Sequence, residues 1–226
     1  MIENVNTRKL AAGKAEDYVK NGMTVGLGTG STAYWAIQEI GQRVTRGLGI
    51  RAAATSLQSE KLALDLHIPI VPISEIERFD VTIDGADEID HHLNVIKGGG
   101  GALLREKIIG AATTQYVIIA DERKLVNHLG LFPLPVEVIK FGWELTFYKL
   151  QALGCTPALR MAGDQPYITD NGHHILDCSF LQINHPESLH ATLNQIPGVV
   201  ENGLFLHMAD IAILGHDNGT TTMLTK

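Results

Sequence analysis

The chain has 226 residues, 45% of them hydrophobic, with 18 Lys and Arg against 25 Asp and Glu for a formal net charge of -7. That is enough apolar material for one large domain with a smaller companion. An acidic balance without any Lys/Arg run argues against nucleic acid as a partner, so an anionic substrate would need a local cationic pocket.

The two cysteines, Cys155 and Cys178, form no C-x-x-C pair. They read as packing residues, with little support for a disulfide framework or a zinc knuckle, and a reduced cytoplasmic setting is the expectation. The first twenty residues carry Glu3, Arg8, Lys9, Lys14, Glu16 and Asp17 with no apolar block, so no signal peptide is expected. No later apolar run is long enough to cross a bilayer, and no membrane partner is expected.

Along the chain, β-rich runs at residues 24–27, 50–54, 81–83 and 116–120 alternate with helical patterns at 33–46, 57–66 and 102–114. This rhythm predicts right-handed βαβ units on a doubly wound, mostly parallel, Rossmann-like sheet. Ligands on such sheets sit at the carboxyl ends of the strands. After Phe132-Pro133-Leu134-Pro135 the order becomes strand 135–139, helix 142–153, strand 156–161, a hairpin, helix 186–196 and strand 198–204, the β-α-β-β-α-β order of a ferredoxin-like α+β domain. Asn171-Gly172 reads as a type I′ turn closing that hairpin. The apolar run at 209–214 is expected to return to the first sheet. The predicted domains are therefore 1–131 plus 205–226, a Rossmann-like catalytic domain, and 132–204, a ferredoxin-like one.

Four loops could carry chemistry. In Gly26-Leu27-Gly28-Thr29-Gly30-Ser31-Thr32-Ala33, backbone amides at a helix start and three hydroxyls make an anion cradle. The spacing also satisfies a permissive dinucleotide fingerprint, but the next strand ends in Ala54-Thr55-Ser56 with no ribose-binding acid, and no G-K-[ST] follows. In Asp84-Gly85-Ala86-Asp87-Glu88-Ile89-Asp90, Asp84 and Asp87 stand where sugar hydroxyls could be met, whereas Glu88 and Asp90 read as solvated. No His or further carboxylate falls at a metal-ligand spacing, and no metal is expected. In Lys97-Gly98-Gly99-Gly100-Gly101-Ala102-Leu103-Leu104-Arg105-Glu106-Lys107, the glycine run before a helix suggests close approach of backbone to ligand, with Lys97 as a mobile positive charge. On these residues alone Glu106 reads equally as a surface glutamate of the helix start, and Lys97 as an exposed lysine. Lys124, in Ala120-Asp121-Glu122-Arg123-Lys124, could reach a phosphate or lie in a solvated turn.

Together and in this order, G-x-G-T-G-S-T, D-G-A-D-E, K-G-G-G-G-A-L-x-R-E-K, A-D-x-x-K and F-P-L-P-V-E-V resemble the ribose-5-phosphate isomerase A family, from about residue 10 to the C-terminus. The resemblance implies an aldose–ketose isomerase of the non-oxidative pentose phosphate pathway, interconverting D-ribose 5-phosphate and D-ribulose 5-phosphate. It implies no metal or organic cofactor, and a homodimer or homotetramer. It makes Glu106 the general base, with Asp84, Asp87 and Lys97 assisting. Thr29, Gly30, Ser31, Thr32, Asp84, Gly85, Ala86, Asp87, Lys97, Gly98, Gly99, Gly100 and Lys124 would form the substrate site. Gly101 stands where the family more often has alanine, and the family's basic residue near the N-terminus corresponds to Arg8 or Lys9. The expected path is proton transfer through an enediolate, with Glu106 partly buried and more basic than usual, and Lys97 and the glycine amides as oxyanion donors. A non-catalytic sugar-phosphate sensor of the same fold is the alternative.

Overall fold

The computed structural model describes residues 6–226; residues 1–5, with Glu3 and the start of the first predicted domain, lie outside the described residues. In chain order the elements are α1 (Thr7–Ala15), β1 (Thr24–Leu27), α2 (Ala33–Thr45), β2 (Arg51–Ala54), α3 (Leu57–Asp65), β3 (Phe79–Gly85), β4 (Glu88–Ile89), β5 (Val95–Ile96), α4 (Leu103–Ala111) and β6 (Thr113–Asp121). They continue with β7 (Leu134–Val138), α5 (Trp143–Gln151), β8 (Thr156–Leu159), β9 (Met161–Ala162), β10 (Gln165–Pro166), β11 (His174–Ser179), α6 (Pro186–Asn194), β12 (Val199–Asn202), β13 (Leu204–Phe205), β14 (Ile211–Gly215) and β15 (Thr221–Thr225).

The predicted strands and helices fall within a few residues of these, but α1 has no counterpart among them. Its buried residues are Thr7, Ala11, Ala12 and Ala15, too small to make an apolar stripe in the sequence. Asn6 caps it by accepting from the Lys9 amide, and it packs on α2, β6 and β14.

The main sheet has the order β15-β14-β6-β3-β1-β2. All neighbours are parallel except β15, which runs antiparallel to β14. Strand β1 is buried along its whole length and β14 likewise, as expected for strands covered on both faces, which explains their apolar runs. The chain leaves β1 outward to β2, then returns to the other side of β1 as β3 before moving on to β6. The winding reverses between β1 and β3, and ligand crevices open at the carboxyl ends of strands at such a reversal.

Strands β7, β8, β11 and β12 form an antiparallel sheet of order β12-β7-β11-β8. With α5 and α6 this is the β-α-β-β-α-β arrangement of a ferredoxin-like unit. Two expectations are corrected here. Strand 198–204 is broken at Gly203, where a Cβ would lie 2.3 Å from the Lys97 carbonyl oxygen. The chain changes sheets there, from β12 beside β7 to β13 beside β5. Asn171-Gly172 is not a type I′ turn, because Gly172 has φ +85 but Asn171 is not left-handed. The Gly172 amide donates to Thr169 O and the Thr169 amide to His173 O, so Asp170 and Asn171 make an ordinary turn with glycine as the following left-handed residue.

Cys155 and Cys178 are buried free thiols. Among the described residues no helix is long and apolar enough to cross a membrane.

Candidate active site

At the reversal point, β1 and β3 approach so closely that a Cβ on Gly28 would lie 2.3 Å from Asp84 Oδ1. The Gly28 amide donates to Ile83 O at 2.9 Å and the Thr29 amide to Asp84 Oδ1 at 3.1 Å. The Thr29 hydroxyl turns away from solvent to Thr55 (2.6 Å) and Ser56 (2.8 Å). Behind them Ser59 donates to Gly28 O, so the 55–59 hydroxyls brace the loop from behind. The amides of Gly30, Ser31 and Thr32, just before α2, donate to no protein acceptor among the described residues. They form an anion-facing helix terminus.

Behind this loop lies a buried triad. Lys97 is 2% exposed, and its ammonium donates to Gly85 O at 2.6 Å, lies 2.9 Å from Asp84 Oδ2 and 3.1 Å from Glu106 Oε1. All three N–H bonds are taken, so Lys97 is a fixed charge, neither mobile nor exposed as the sequence suggested. Asp84 is fully buried and accepts from Thr29 N, Gly85 N and the Tyr116 hydroxyl besides facing Lys97. Burial lowers the Lys97 pKa, but the Asp84 and Glu106 carboxylates outweigh it and the net direction is upward. Burial also raises the Tyr116 hydroxyl, with Asp84 adding to it, and keeps it a donor.

Glu106 is placed by α4, where it is 4% exposed in the first turn. Its neighbours on that helix hold it from both sides. Arg105 donates to Asn171 Oδ1 and Asp170 O, and Lys107 to Glu201 Oε1 (2.8 Å) and Asn202 O (2.6 Å). Glu106 Oε1 faces Lys97, while Oε2 has no hydrogen-bond partner among the described residues. Burial, then the Asp84 charge, pushes the carboxyl up to about 8, against the pull of Lys97.

The glycine loop before α4 is pinned on two sides. Asp87 Oδ2 accepts the Gly99 amide at 2.7 Å, and Arg160 Nη1 donates to the carbonyls of Gly98 (2.8 Å) and Gly99 (3.1 Å). On the far rim, Lys124 Nζ lies 5.7 Å from the Phe132 ring centre. Asp121 accepts the Thr7 hydroxyl and both arms of Arg123, which hold its carboxyl well below the usual range.

A cavity of about 290 Å³ opens among these elements. It is lined by every residue the sequence put in the substrate site except Asp84, which sits behind Lys97, together with Glu106. It adds Arg8 and Asp121. Arg8 is the basic residue that reaches the cavity, while Lys9 lies over the Trp35 ring. The signal for Asp121 was its place at the carboxyl end of an apolar strand, two residues before Arg123. Glu88 and Asp90 are not solvated: Glu88 accepts the Gly130 and Phe132 amides, and Asp90 those of His92 and Asn94. Among the described residues no three His, Cys, Asp or Glu side chains are grouped to hold a metal ion.

A doubly wound sheet with an anion-facing helix terminus and a buried carboxyl of raised pKa at its reversal point defines an α/β acid–base enzyme for a small anionic substrate. The sequence pattern of the family described as Ribose 5-phosphate isomerase A (phosphoriboisomerase A) matches residues 51–219. Ribose-5-phosphate isomerase A of Bacillus mycoides is 53% identical over 216 residues, 95% of this chain and 98% of that one. A solved D-ribose-5-phosphate isomerase in complex with phospho-erythronic acid superposes with a TM-score of 0.94 at 40% identity, covering 98% of this chain and 100% of that one. Ribose 5 phosphate isomerase A from Neisseria gonorrhoeae gives a TM-score of 0.90 at 41% identity over 96% and 95% of the two chains. This chain belongs to the ribose-5-phosphate isomerase A family.

Proposed function

We propose that the chain interconverts D-ribose 5-phosphate and D-ribulose 5-phosphate by moving a proton between C2 and C1 through an enediolate. The observation that carries this is Glu106: one carboxylate oxygen on a fixed ammonium, the other unpartnered, in a cavity lined by free amides and cations. A base that takes a proton from carbon must be ionised yet basic, and burial beside Lys97 supplies both conditions. Glu106 removes the C2 proton and returns it to C1. Lys97, held by Asp84, supplies positive charge beside the developing enediolate, and the glycine-loop amides donate to its oxygen. Asp87 is the cavity carboxylate placed to assist ring opening and proton exchange between O1 and O2, while Asp84 acts through Lys97. The amides of Gly30, Ser31 and Thr32, with Lys124 and Arg8, bind the phosphate and fix the reacting carbons relative to Glu106.

The reading of residues 1–131 with 205–226 and of 132–204 as two domains is supported by the separation of the main sheet from the sheet of β7, β8, β11 and β12. A homo-oligomer, dimer or tetramer, fits the apolar face that Phe141, Leu145 and Tyr148 expose. Two free buried thiols fit a cytoplasmic setting.

The test is turnover of ribose 5-phosphate in deuterated water with excess chelator. Wild type should form ketose carrying some solvent deuterium, and Glu106→Gln should lose about 10²- to 10⁴-fold in kcat, the usual contribution of a general base. Near-normal turnover by Glu106→Gln would sink the assignment of the base. Binding of the sugar phosphate without turnover in wild type would turn the protein into a sensor.

A further inference from the structure

Resting on that functional reading, we propose that Arg160, locked by Asp177, is a positioning residue: it orients the glycine loop from the antiparallel unit so that the Gly100 amide faces the reacting oxygen. Four consecutive glycines have great conformational freedom in the unfolded chain and in an unsupported loop. An amide meant to stabilise transition-state charge must nevertheless be fixed before the reaction begins.

Arg160 follows β8 directly and engages all three guanidinium nitrogens. Its Nε and Nη2 donate to Asp177 of β11 at 2.9 and 2.5 Å, and its Nη1 spans the carbonyls of Gly98 and Gly99 at 2.8 and 3.1 Å. The register that sets Asp177 beside Ala158 brings the pair together on neighbouring strands. Both side chains are mostly buried.

In a trans peptide the carbonyl and the following amide point in opposite directions. Turning the Gly98 carbonyl to Arg160 directs the Gly99 amide the other way, where it meets Asp87 at 2.7 Å. Turning the Gly99 carbonyl to Arg160 does the same to the Gly100 amide. That amide has no protein acceptor among the described residues, and Gly100 lines the cavity. A guanidinium on the two carbonyls also polarises both peptides and strengthens their donors. Because Asp177 neutralises Arg160, the pair acts by orientation rather than by adding charge to the site. A lysine could not replace it, since one ammonium cannot hold a carboxylate bidentately and bridge two carbonyls.

The experiment compares wild type, Arg160→Ala, Arg160→Lys and Asp177→Asn for kcat and KM on ribose 5-phosphate, for affinity toward a four-carbon aldonate phosphate as enediolate mimic, and for thermal melting. Well below the melting temperature, kcat and mimic affinity should fall together, by about 100-fold for a misplaced group in Arg160→Ala. KM should change little, and low guanidinium, but not an equal concentration of sodium chloride, should restore part of the loss. If Arg160→Ala does not fold, Arg160→Lys and Asp177→Asn carry the same kcat and mimic measurements. Folded variants with wild-type kcat, or with only a lowered melting temperature, overturn this inference alone. A wild type that does not turn over ribose 5-phosphate overturns the functional reading and this inference with it.

Discussion

The loop after β1 and the loop before α4 are both glycine-rich, both open on a helix, and both line the same cavity, yet glycine serves a different end in each. At Gly28 the need is space: its backbone is not left-handed, but an added Cβ would meet Asp84 Oδ1 at 2.3 Å and the Asp84 Cα at 2.6 Å. At Gly101 the need is conformational, with φ +80, and the nearest obstacle is the Tyr167 hydroxyl at 2.2 Å, the far end of a side chain. The first loop is welded into the sheet that carries it. The second is held from outside by Arg160 and Tyr167 of the antiparallel unit and by Asp87, so its tolerance to change depends on partners that can move.

The largest effect should come from the charge that both loops share. Lys97→Met leaves the Asp84 carboxylate buried without its cation and removes the ammonium that Glu106 faces. Removing one partner of such a buried pair typically destabilises by about 3–5 kcal/mol. Denaturant unfolding should show that loss and turnover should be abolished; a variant of wild-type stability would mean the triad is not charged as described. Gly28→Ala comes next. Its clash is with the Asp84 backbone as well as with the pinned Asp84 carboxylate, so overpacking should cost about 1–3 kcal/mol, and displacement of Asp84 should carry Lys97 with it and lower kcat. Gly101→Ala should be milder, about 1–2 kcal/mol for placing a side chain in the left-handed region. The contact with Tyr167 adds to that loss, and Tyr167→Ala should remove this added part in the double variant while leaving the Gly28→Ala penalty untouched. Equal penalties at the two glycines would erase the distinction between them.

The same contrast explains what could be seen in the sequence. Apolar strands and the turns after them announce themselves by period and by glycine, so the main sheet, its reversal point and most cavity residues were legible. The antiparallel unit was legible as an element order, but not the Asn171-Gly172 turn type or the break at Gly203, because both are decided by what lies opposite: His173 in one case, the Lys97 carbonyl in the other. Helix α1 was hidden because alanines bury without making a stripe, and with it the choice between Arg8 and Lys9 as the basic residue that reaches the cavity. Charged residues were the least legible. Glu88 and Lys97 look like solvated surface until Gly130, Asp84 and Glu106 are brought to them by the fold, and Asp90 until its own turn closes on it through the His92 and Asn94 amides. Arg160 had no local signal at all, since its targets lie some sixty residues earlier.

The smallest expected effect is the displacement of a pH profile, and it separates the two loops by way of Asp87. Glu106 is raised to about 8 by burial first, then by Asp84, with Asp87 adding in the same direction and Lys97 opposing. A base must be ionised, so kcat/KM should climb with pH and level off above about 8. Stability runs the other way. A carboxyl whose folded pKa exceeds its ordinary 4.5 contributes stability that is fully present below 4.5 and is lost as pH rises through about 8. Across that window the protein should gain activity while this group's contribution to stability falls, and Glu106→Gln should flatten both slopes. Asp87→Asn removes a like charge tied to the second loop through the Gly99 amide. It should move the acid limb of kcat/KM to lower pH whatever it does to the plateau, whereas Lys124→Ala, at the phosphate end by the first loop, should raise KM and leave the limb where it was. A limb that stays fixed in Asp87→Asn, or shifts in Lys124→Ala, would mean that the field at Glu106 is not set by the carboxylates around Lys97.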